Sequence, residues 1–80
     1  MIIRLVESGR IEAKMIRVIN GCTIKIWKAK SLAGWTDWYY SCFRDRDGFE
    51  VCSGTGALLG TDNVWSIYRH IKERISMLNN

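Results

Sequence analysis

One periodic stretch limits what this chain can become. Between Asp62 and Leu78, the residues Val64, Ile67, Ile71, Ile75 and Leu78 recur at spacings of three, four, four and three. On an α-helix these spacings fall on one face. Tyr68 and Trp65 are expected to widen the stripe at its edges, while Ser66, Arg69, Lys72, Glu73 and Ser76 lie mostly opposite. Thr61 or Asp62 is expected to cap the helix start by accepting a backbone N–H bond, and Asp62 also suits the positive end of the helix dipole. A stripe this long has to be buried against a second layer. In a chain of 80 residues that layer must be a sheet built from the residues before it.

The preceding sequence divides into strand-like runs. Ile2 to Glu7 reads as a first strand, turning at Ser8-Gly9, and Ile11 to Ile19 as a second. Asn20-Gly21 is a strong two-residue hairpin signal, because both central positions of a type I′ turn need positive φ. It leads into a third strand, Cys22 to Lys30. That turn sets Ile19 against Cys22, Arg17 against Ile24, Met15 against Ile26 and Ala13 against Lys28. Ile11, Ala13, Met15, Ile19, Cys22, Ile24 and Ile26 then form the face to be covered by the helix. The opposite face pairs Val18 with Thr23, Ile16 with Lys25 and Lys14 with Trp27. A one-residue slip would exchange the faces, so turn and pattern agree.

Ser31-Leu32-Ala33-Gly34 reads as a connector, Trp35 to Asp45 as a fourth strand and Phe49 to Ser53 as a short fifth. Asp45-Arg46-Asp47-Gly48 is expected to form a type I turn with a glycine bulge. Asp45 would then face Phe49, Arg44 would face Glu50 as a cross-strand charge pair, Phe43 would face Val51 and Cys42 would face Cys52. Phe43, Val51, Phe49 and Tyr39 would share one side, with Trp38 and Tyr40 on the other. Ser53 to Thr61 is a connector whose Leu58 and Leu59 plug the core edge. The expected fold class is α+β: an antiparallel meander of four to five strands with one C-terminal helix packed on one face, in a single domain spanning residues 1–80.

Several function classes find no support in these residues. No apolar run is long enough to cross a membrane, and Met1-Ile2-Ile3-Arg4 is not followed by a signal-peptide core. The expected location is therefore the cytoplasm of whichever cell makes the chain. Cys22, Cys42 and Cys52 match no zinc spacing, and His70, the one histidine, stands in the helix, so no metal is expected. Gly54-Thr55-Gly56 lacks the surrounding parallel strands of a dinucleotide site, and no cofactor is expected. No nucleophile–base set stands out, and so small a chain leaves little room for a pocket. An enzyme is not expected.

Charge and aromatic content point instead to binding. The formal charge is +4, and residues 1–30 carry seven basic and two acidic side chains. A basic half suits an anionic partner, although lysines also keep sheet edges soluble. Four tryptophans exceed what a small core needs. Aromatics among basic residues can stack bases and neutralise phosphates, and they also make protein-interface hot spots. The candidate contact residues are Trp27, Lys14, Lys25, Lys28, Trp38, Tyr40 and Arg17. Ile16, Val18 and Trp27, with Ile3 and Leu5, make a face apolar enough to be a partner or homodimer surface.

The Asn20-Gly21 hairpin, the aromatic Trp35–Phe43 strand, the Gly48 turn and the terminal helix together resemble the small inhibitor proteins of bacteriophages and mobile elements, among them the anti-CRISPR proteins. The resemblance is one of class, with no shared motif and no residue to carry over. It implies a non-enzymatic protein that binds a CRISPR effector or similar ribonucleoprotein complex and blocks it by occupying its surface. Members that mimic DNA are acidic, whereas this chain is basic, so the implied contact is with acidic protein or guide-RNA surfaces. The alternative expectation is a direct nucleic-acid-binding protein using the same basic and aromatic residues.

Overall fold

The computed structural model describes residues 10–30 and 33–78. The expected strand Ile2–Glu7 and the Ser8-Gly9 turn lie outside the described residues, as do Ser31 and Leu32. Four strands, β1 (Arg10–Ile19), β2 (Cys22–Lys30), β3 (Thr36–Arg44) and β4 (Glu50–Thr55), form an antiparallel meander in the order β1-β2-β3-β4. A short helix α1 (Gly56–Leu59) and the long helix α2 (Val64–Leu78) follow. The fold is thus the expected α+β meander with a C-terminal helix on one face.

The first hairpin follows from its turn. Asn20 (φ 50°) and Gly21 (φ 76°) both occupy the left-handed region, as a type I′ turn requires. The register runs as the alternation predicts, with Ile19 opposite Cys22, Arg17 opposite Ile24, Met15 opposite Ile26 and Lys14 opposite Trp27. A bulge at Glu12 then brings Ile11 opposite Ala29.

Ile67, Ile71 and Ile75 are buried and pack with Cys22, Ile24, Ile26, Tyr40 and Cys42. Burying each such side chain stabilises the fold by about 1.5–3 kcal/mol. Met15, Ile19, Val51, Leu59, Val64 and Tyr68 close the margins. Trp65 departs from expectation: it is exposed and meets Tyr68 edge-on rather than widening the buried stripe. The cap departs as well. The Asn63 side-chain oxygen accepts from Trp65 N–H at 2.8 Å, and the helix begins at Val64. Thr61 instead takes the Asn63 N–H, and Asp62 uses its carbonyl to accept the Trp38 indole N–H at 2.8 Å.

The second hairpin corrects the turn. Arg44, not Asp45, closes it: Arg44 N–H donates to Phe49 O and Gly48 N–H donates to Arg44 O, both at 2.8 Å. Cys42 does face Cys52, but Phe43 faces Glu50, and the shift is absorbed by a bulge. Val51 is the extra residue and packs on the core cluster rather than beside Phe43. The expected Arg44–Glu50 pair is replaced by a stronger local set. Asp47 accepts from Arg44 Nε and Nη2 at 3.0 and 2.7 Å, and from Phe49 N–H at 3.1 Å, while the Arg44 guanidinium lies 4.9 Å over the Phe49 ring. A two-pronged guanidinium–carboxylate contact within the loop outcompetes a charge pair across the strands. The Arg44 hydrogen bond and the Phe49 N–H hold the Asp47 carboxyl down at about 2. Because this folded value lies below the unfolded one, the contact contributes fully above the ordinary carboxylate range and is lost as pH falls through about 2.

The link between sheet and helix is also more ordered than a pliable connector. Thr55 caps α1 by accepting from Leu58 N–H, and Gly60 ends it in the left-handed conformation. Leu59 packs on the core as expected, while Leu58 is exposed. Asp37 ties β3 to this corner, its carboxylate accepting from Trp38 N–H at 2.7 Å and from Ala57 N–H at 3.4 Å. Gly56 is buried here, and a Cβ would stand 2.6 Å from the Thr61 carbonyl oxygen. Backbone cannot yield as a flexible side chain can. Gly56→Ala is therefore expected to cost about 1–3 kcal/mol in urea denaturation; an unchanged midpoint would show that the corner is loose.

Candidate functional site

The seven residues expected to form a contact surface do not share one face. Pairing places Lys14, Lys25 and Trp27 on the outer face of the sheet, and Arg17, Lys28, Trp38 and Tyr40 on the side that carries the helix. Three of the aromatic assignments need correction. Trp27 is only 5% exposed, with Tyr39 stacked on it at 5.9 Å. Tyr40 is also 5% exposed, lies in the core cluster and meets His70 edge-on at 5.9 Å. Burial pushes its hydroxyl above the ordinary value. Gly54, directly across β4, leaves room for this ring, since a Cβ there would come within 2.8 Å of the Tyr40 oxygen. Trp38 is half-buried, holds the Asp62 carbonyl through its indole N–H, and has the Lys28 ammonium 5.7 Å from its ring. These rings build the fold and are not available as a stacking platform.

The cations behave differently. Lys14, Arg17 and Lys25 are exposed. Among the described residues the one ion pair is Arg44–Asp47, so none of the described carboxylates pairs with these three. Arg17 donates only to the neighbouring Ile16 carbonyl, at 3.2 Å. Helix α2 packs mainly over β2, β3 and β4, with Met15 and Ile19 of β1 at the margin of the same core. On the outer face of β1, Ile16 is 46% and Val18 66% exposed. Ile16 lies directly opposite Lys25. The result is a small patch of two exposed aliphatic side chains flanked by unpaired lysines. Of the described acids at the outer face, Asp37 is held by the α1 corner, Glu50 accepts from the Ser53 hydroxyl, and Asp45 accepts from the hydroxyl of Thr23, the residue opposite Val18.

Two open clefts exceed the pocket size expected for so short a chain. One, of about 480 Å³, runs between the two hairpin turns and the end of α2, with Asn20, Cys22, Asp45, Arg46, Ile75 and Leu78 in its lining. The Asp45 carboxylate there is occupied by the Thr23 hydroxyl at 2.6 Å. The other, of about 580 Å³, lies along the charged side of α2 beside Arg69, Lys72 and Glu73. Among the described residues no group of His, Cys, Asp or Glu is arranged to hold a metal ion, and no helix is long and apolar enough to cross a membrane.

The three thiols gather under the helix although they are far apart in sequence. Cys42 and Cys52 are direct cross-strand partners, and Cys22 sits one pair along the neighbouring strand, opposite Arg44. Burial, and then the neighbouring Cys52 and Cys22 thiols, push Cys42 up to about 12; burial likewise raises Cys52. Thiolates are the reactive form, so the raised values of Cys42 and Cys52 oppose a nucleophilic role for this pair. Cys22 and Cys42 are buried, and only Cys52 reaches solvent. A thiol reagent at pH 8 is expected to modify one cysteine per folded chain, with Cys52→Ser abolishing that reaction. Rapid modification of two or three thiols would contradict the packing.

No family model, curated protein or solved structure matches the chain.

Proposed function

We propose that this chain is a non-enzymatic binding protein, of the kind phages use as inhibitors and anti-CRISPR-like in class, that blocks a host nucleoprotein effector complex by covering part of its surface. The observation that carries the reading is the β1–β2 hairpin: Lys14 and Lys25 are exposed, with no ion-pair partner among the described residues, on the face that exposes Ile16 and Val18, and Arg17 is exposed on the opposite face. Unpaired cations raise the local positive potential and steer an anionic partner toward the hairpin. Exposed aliphatic area beside them supplies the burial that a lasting contact needs.

Direct nucleic-acid binding is the second reading, and the same cations favour it. Trp27 and Tyr40 are buried and do not serve it as stacking rings, whereas Trp35 and Trp65, outside the hairpin, are exposed; single-strand binding draws about 1–3 kcal/mol per base from such stacking. At the hairpin itself nucleic acid would gain phosphate neutralisation, whose affinity falls steeply with salt.

Affinity capture from bacterial lysate, with and without nuclease, separates the two. The expected outcome is recovery of a defined protein or ribonucleoprotein complex that persists after nuclease treatment of unprotected nucleic acid. Recovery of no protein at low stringency would overturn the leading reading. Recovery that disappears with nuclease, together with oligonucleotide binding that weakens steeply across a salt series, would establish the second.

A further inference from the structure

Resting on the reading of the hairpin as the contact element, we infer that its outer face is a docking site for an acidic protein segment that presents carboxylates beside aliphatic side chains. Lys14, Ile16 and Val18 stand at successive outward positions of β1, with Lys25 across from Ile16. Outward positions on a strand repeat about every 6.6–6.8 Å. An extended partner segment carries side chains on one face at the same repeat. A glutamate or aspartate against Lys14, followed two and four residues on by valine, isoleucine or leucine against Ile16 and Val18, therefore matches the patch in spacing as well as in chemistry. A second acid lying laterally meets Lys25.

The chemistry of the patch also sorts the other occupants. A second copy that buried Ile16 against its own counterpart would bring the two Lys25 ammonium groups together, because Lys25 is the direct neighbour of Ile16; among the described residues no carboxylate pairs with Lys25, and Asp45 at the turn end is taken by the Thr23 hydroxyl. Nucleic acid would satisfy the lysines but gain little from the aliphatic side chains, and the aromatic ring among these residues, Trp27, is buried under Tyr39. An acidic segment with aliphatic side chains uses both halves of the patch.

The test measures binding of the folded chain to three labelled probes: a peptide with glutamate and valine alternating on one face through serine spacers, a glutamate–serine peptide of equal charge, and a thymidine oligonucleotide of equal charge. The mixed peptide is expected to bind at least tenfold more tightly than either other probe. Its amide-resonance shifts should centre on residues 14–18 and 23–27. Both Lys14→Glu with Lys25→Glu and Ile16→Ser with Val18→Ser, each checked for an unchanged fold by circular dichroism, should weaken it at least tenfold. Absence of mixed-peptide binding, equal binding of the glutamate–serine peptide, tighter binding of the oligonucleotide, or indifference to both double variants would overturn the inference. Lysate capture keeps its failure apart from that of the broader reading. A partner retained by the charge-reversed variant removes this site but leaves a binding protein; a wild-type chain that captures nothing removes the binding reading itself.

Discussion

The packing of Ile67, Ile71 and Ile75 onto Ile24, Ile26 and Cys42 is the contact on which the rest of the structure depends. A sheet of this size has little apolar surface to spare, and an antiparallel sheet with one covered face gains most where the helix lies. The helix covers β2, β3 and β4. Strand β1 is held by the type I′ turn and the β2 ladder, and Met15 and Ile19 on its inner face pack at the margin of the same core. Lys14, Ile16, Val18 and Lys25 point to the opposite face, away from the helix, where they are exposed.

Trp27, Trp38 and Tyr40 are consumed by the same economy of size, while Trp35 and Trp65 stay exposed. Tyr40 fills space under the helix opposite Gly54, Trp27 stacks with Tyr39, and Trp38 fastens β3 to the residue before the helix cap. A large ring buries far more area per residue than an aliphatic side chain, and a small chain draws stability from it. Tryptophan-rich composition in a domain of this length thus signals core construction as readily as recognition. In the proposed contact the recognition chemistry falls to lysine, isoleucine and valine.

How much was legible depended on how local the determining interaction was. Asn20-Gly21 specifies its own turn through backbone conformation, and every pair next to it could be counted off correctly. Asp45–Gly48 is ambiguous, because a glycine at the end of a four-residue loop is compatible with closure at Arg44 or at Asp45. What decided it was a side-chain set, Asp47 with Arg44 and Phe49, acting within the loop. The bulge at Val51 then restored the Cys42–Cys52 pair and hid the shift from any argument based on that pair alone. The cap was missed for a related reason: Thr61, Asp62 and Asn63 are all acceptable capping residues, and the choice was made by the Trp38 indole claiming the Asp62 carbonyl from another strand. The lysines of the candidate surface were readable from charge alone, but their separation from Trp38 and Tyr40 onto different faces required the pairing to be combined with the position of the helix.

The central claim is that contact with a partner runs through the outer face of the β1–β2 hairpin while Trp27, Trp38 and Tyr40 serve the fold. Hydrogen–deuterium exchange of the chain, free and bound to its captured partner, tests it most directly. Added protection should centre on residues 14–19 and 22–28, with α2 and the Trp35–Tyr40 segment unchanged. Protection centred on α2 or on residues 35–40, with the hairpin exchanging as in the free chain, would contradict it.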